Sequence, residues 1–129
     1  MPIIARAKPL VFTRHARAKM AFYKLSESRV RHVLHTPKRV EEGVAPKTVA
    51  AMAPSALKKV FGKSGDPKAL TGGPKEVWSQ EIWVMFQDSP RERKIISAWR
   101  YPGMTKPRSA VAKAMVRQEF VDFRQSSLQ

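Results

Sequence analysis

The chain has no cysteine among its 129 residues, which excludes disulfides and thiolate metal ligands and agrees with a reducing compartment. Acidic residues are scarce. Ten Asp and Glu face 25 Lys and Arg, for a formal net charge of +15. Self-repulsion on that scale opposes compactness and goes with an anionic partner, nucleic acid first, then an anionic membrane or an acidic protein. No run reaches the roughly 18 apolar residues a membrane span needs. Residues 1–20 are broken by Pro2, Pro9 and Arg14 and lack the apolar centre of a signal peptide, so a cytoplasmic protein is expected. Walker A, dinucleotide and His-Glu-x-x-His patterns are absent, and Gly72-Gly73-Pro74-Lys75 has neither the spacing nor the following Ser or Thr of a phosphate loop. No cofactor and no metal are expected.

What is present suffices for one folded domain over residues 1–129, since 43% of the residues are hydrophobic. Residues 1–12 read as an extended lead-in. Thr13 is placed to cap a helix over 14–22, and Ser26, followed by Glu27, to cap a second that Pro37 stops. Residues 38–42 and 48–53 then form a hairpin candidate around Gly43. Residues 54–75, rich in Gly, Pro and Lys, predict a long, mobile, basic loop. Residues 77–86 are apolar on both parities, as in a central strand covered on both faces, and residues 94–101 return after a turn at 88–92. Ser109 can cap a last helix whose stripe is Ala112, Met115, Val116, Phe120 and Phe123, with Glu119 inside it. The expected class is α+β, with two N-terminal helices packed on a twisted antiparallel sheet of about four strands. The core is expected at about 10–104, and the additional C-terminal helix and tail at 105–129.

The segment Phe12-Thr13-Arg14-His15-Ala16-Arg17-Ala18-Lys19-Met20 resembles the opening helix, His-Ala-x-x-Arg-Met, of a family of small uncharacterised bacterial domains related to the RelE/ParE-like toxins. Val33-Leu34-His35-Thr36-Pro37 before Arg39-Val40-Glu41-Glu42 looks like that family's helix-to-strand junction, and the strands at 82–86 and 94–101 resemble its closing hairpin. The likeness covers roughly residues 10–101. Lys19 replaces the family's arginine, and residues 54–75 and the C-terminal tail extend its compact pattern. The resemblance implies an α+β fold with a twisted antiparallel sheet, RNA as substrate and cleavage without metal. It also implies a toxin that acts on RNA, as at the ribosome, and is held by an acidic protein partner or antitoxin.

Metal-free cleavage of RNA needs a base for the 2′-hydroxyl proton, an acid for the leaving oxygen and cations on the phosphate. His15 suits the proton work. Lys19, one turn on, shares its face and favours the neutral imidazole a base requires. The resemblance further implies that Arg100 stabilises the pentacovalent phosphate and that Tyr101 positions or protonates. By strand parity Arg100 lies opposite Trp99 and Tyr101. Arg14, Arg17, Lys58, Lys59, Lys63 and Lys75 are the expected nucleic-acid contacts. His32 and His35 read as a solvated helix face, and Glu41 and Glu42 as a solvated strand end. Two rivals use the same residues differently. A non-enzymatic RNA- or ribosome-binding protein needs only a broad basic face, and an interaction protein needs an exposed apolar stripe on the last helix. A ribonuclease requires His15 and Arg100 to converge on one concave surface.

Overall fold

Thr13 closes the first strand and opens the first helix, and most of the architecture can be followed from there. In the computed structural model, which describes residues 8–60 and 75–127, β1 (Leu10–Phe12) leads into α1 (Arg14–Tyr23). The Thr13 hydroxyl accepts from the Ala16 N–H, satisfying a donor that has no partner within the helix. At the other end Lys24 takes a left-handed conformation, and the Leu25 N–H donates to the Met20 carbonyl, which turns the chain sharply. Ser26 then caps α2 (Glu27–His35) as its sequence position predicts.

Strands β2 (Arg39–Glu42) and β3 (Thr48–Pro54) form the expected hairpin. Gly43 is needed there, because a Cβ at that position would overlap the Thr48 side chain. Residues 61–74 lie outside the described residues. Their flanks are strands, β4 (Lys58–Val60) and β5 (Lys75–Val77), which pair with each other antiparallel. The reading of 54–75 as one loop is corrected to that extent. β6 (Gln80–Asp88) and β7 (Arg93–Pro102) complete a five-stranded sheet of order β1-β7-β6-β3-β2. The fifth strand is β1, which the sequence left as a lead-in, and it runs parallel to β7.

Alternation along β6 explains the layering. Ile82, Val84 and Phe86 face α1 and α2, where Ala16, Met20, Val30 and Val33 close one core. Trp83 and Met85 face the other way, onto a second core closed by Val116 of α3 (Ala110–Ser127). Helices therefore cover both faces, α2 on one and α3 on the other, while α1 packs along β7 and meets α3 through Lys19 and Glu119. A bulge in β7 tunes this second face. Met85 pairs with Ser97 and Phe86 with Ile95, so Ile96 is the extra residue. Ile96 enters the α3-side core, and Ser97 reaches α3 itself. Among the described residues no helix is long and apolar enough to cross a membrane.

Candidate functional site

His15 and Lys19 lie one turn apart on α1, along a seam where α1 meets α3. The Lys19 Nζ donates to Glu119 Oε2 at 2.9 Å, and the Ser97 hydroxyl donates to Glu119 Oε1 at 2.8 Å. Glu119 is thus the polar residue inside the apolar stripe of α3, buried and paired from two elements. The His15 ring packs edge-on against Phe123 at 6.0 Å, and its Nε2 is buried without a partner. Burial holds His15 below its ordinary value, Glu119 pulls it back up, and Lys19 adds to the lowering. The neutral imidazole expected from the sequence is favoured, with burial as the main cause and the neighbouring ammonium as a lesser one.

Arg100 is elsewhere. Its Nε donates to the Tyr23 carbonyl at 2.8 Å, and its Nη1 to Gln80 Oε1 at 2.9 Å. The guanidinium clasps the C-terminal end of α1, eight residues beyond His15, which is roughly 12 Å at the helical rise. His15 and Arg100 do not converge, and the proposed base is beneath a helix. Arg100 and Tyr101 take opposite faces, as parity requires, with Tyr101 in the α3-side core beside Trp99. The pair proposed to act on one phosphate is therefore separated by the sheet.

The remaining cations are scattered. Arg17 pairs with Glu27 at 3.0 Å and lies over the Phe12 ring. Arg14, Lys58 and Lys75 are exposed, while Lys63 and the side chain of Lys59 lie outside the described residues. His32 contacts Thr36, and no three His, Asp or Glu side chains among the described residues gather as metal ligands. A hollow of about 390 Å³ is lined by Lys8, Leu10, Arg31, Leu34, His35 and Arg93.

A larger concavity, about 610 Å³, opens beside β2 on the α3 side of the sheet. Its apolar lining comes from Val40, Met52, Trp78 and Met104, and its cations from Lys38, Arg39, Lys106 and Arg108. The walls are fixed from beneath by Glu81, which is fully buried. Its carboxylate accepts from Trp78 Nε1, Trp83 Nε1, the Thr105 N–H and the Thr105 hydroxyl, at 2.8–3.0 Å. Arg39 extends the network. It donates to Glu41 Oε2, to the Thr105 carbonyl and to the Thr105 hydroxyl, and lies over the Trp83 ring at 5.3 Å. Glu41 Oε2 also accepts from the Arg108 N–H, where the backbone is left-handed. Glu41 is therefore a buried anchor, not the solvated strand end the sequence suggested. Two carboxylates, one guanidinium and one threonine thus pin residues 103–109 and the Trp78 indole against the sheet. The Lys106 and Arg108 side chains are exposed and make none of the described ion pairs.

Sequence reasoning missed this groove. The available signal was Glu81, a carboxylate in a strand covered on both faces, because a charge so placed demands partners. The partners come from residues 78, 83 and 105, and only the fold brings the last of these near. Comparison with known proteins finds no matching family model, no matching curated protein and no matching solved structure.

Proposed function

We propose that the protein binds RNA without cleaving it, through the cationic groove beside β2. The observation that carries this reading is the groove itself: an apolar floor tied down by Glu81 and a rim whose Lys106 and Arg108 side chains are exposed and make none of the described ion pairs. A net charge of +15 supplies long-range attraction to a polyanion. The residues assigned to cleavage are otherwise engaged. Arg100 holds the end of α1, and Lys19 holds Glu119.

A second reading, the metal-independent ribonuclease implied by the RelE/ParE resemblance, keeps one support. Burial, with the Lys19 ammonium as a lesser cause, lowers the His15 pKa and so favours the neutral imidazole that a general base requires. That reading needs α3 to leave the seam and Arg100 to leave its carbonyls. Labelled RNA incubated in chelator with wild type and with His15→Ala, with and without translating ribosomes, separates the two. The binding reading predicts retention by both proteins and intact RNA throughout. Cleavage by wild type and not by His15→Ala would establish the ribonuclease instead.

A further inference from the structure

Resting on the RNA-binding reading, we infer that the groove receives one unpaired nucleotide of single-stranded RNA, its base inward on Trp78 and its phosphates outward on Lys106 and Arg108. The size is right: about 610 Å³ lies within the range of sites that enclose small organic ligands, and it admits a base with its sugar. The division of chemistry is more telling. Val40 and Met104 are 55% and 46% exposed, and with Met52 and Trp78 they offer nothing to a phosphate. They suit the face of a base, and a duplex keeps its bases stacked out of reach.

Glu41 orients the ligand. Both of its described hydrogen bonds end on Oε2, from Arg39 and from the Arg108 N–H. Oε1 has no described donor, and Glu41 lines the groove. An acceptor-only carboxylate inside the groove repels phosphate and welcomes an N–H donor. Phosphates are thereby kept at the rim, and bases carrying an exocyclic amine are preferred over uracil, as carboxylates accept from the cytosine amine. The indole N–H of Trp78 is already given to Glu81, which holds the ring at the groove wall and leaves that N–H unavailable to a ligand.

Three probes test this in the full chain: a five-residue oligocytidylate, an oligouridylate of equal length and a blunt RNA duplex. Of the three tryptophans Trp83 and Trp99 are buried, so fluorescence quenching on binding reports Trp78. The expected result is quenching by both single strands and affinity at least about tenfold above that for the duplex. Oligocytidylate is expected to bind about fivefold or more tighter than oligouridylate. Lys106→Glu with Arg108→Glu, both exposed, should lower single-strand affinity at least about tenfold, with the near-ultraviolet signal of the stacked Trp83 and Trp99 unchanged. Equal affinity for single strand and duplex without quenching overturns the inference and leaves RNA binding by backbone contact. Equal affinity for the two homopolymers overturns the role of Glu41. If no probe binds, the RNA reading itself fails, and the charge serves an acidic protein.

Discussion

At the scale of single residues, buried carboxylates carry more of the structure than the basic residues that dominate the composition. Glu81 is satisfied by four neutral donors, so truncating it strands two indole N–H groups and a backbone N–H in the interior. Glu81→Ala is predicted to cost about 3 kcal/mol in urea unfolding and to loosen the groove, weakening RNA binding as well. A loss below about 1 kcal/mol would mean that water replaces the carboxylate at little cost. His15 gives a pH dependence. Its pKa in the fold is lowered from 6.5, chiefly by burial, so below 6.5 the unfolded chain binds the proton more readily. Its contribution is whole above 6.5 and is lost as pH falls through that value towards the lower value of the folded state. Thermal unfolding of wild type and His15→Phe between pH 5 and pH 8, about the range in which histidine titrates, should show the extra acid sensitivity only in wild type. Parallel curves would contradict the assignment.

At the scale of elements, what could be read in advance was whatever depends on near neighbours. The caps at Thr13 and Ser26, the β2–β3 hairpin and the two-faced character of β6 are local patterns, and each appears where its residues predict. The face on which α3 docks is not local, because its apolar stripe would fit either side of the sheet. The choice is made by Ile96 and Ser97, which the bulge directs to one face, and by the meeting of Glu119 with Lys19 and Ser97. Hence His15 and Lys19 were legible as neighbours on one helix face, while their cover was not. Nor was the occupation of Arg100, which depends on β7 passing under the end of α1. The seam makes a specific prediction. Glu119→Leu alone leaves the Lys19 ammonium largely buried and unpaired, and should cost about 3 kcal/mol. Adding Lys19→Met should restore most of that loss. Additive costs in the two single variants would show instead that the pair is too well solvated to couple.

At the scale of the whole molecule, six of the ten acidic residues are engaged within the fold. Among the described residues five ion pairs engage Glu27, Glu41, Glu76, Asp88 and Glu119, and Glu81 is enclosed by neutral donors. Arg14, Arg31, Lys58, Lys75, Lys106 and Arg108 take part in none of these pairs and face outward or line hollows. The positive excess therefore lies at the surface, where a polyanion meets it and where each neutralised phosphate of a single strand lowers the logarithmic salt slope by about 0.7. The most direct test is the affinity for single-stranded RNA measured across a salt series, with the RNA recovered and sized afterwards. Binding through this surface predicts a straight logarithmic fall, with a slope of roughly −3 or steeper, and RNA of unchanged length. A flat salt response, or RNA returned in pieces, would contradict it.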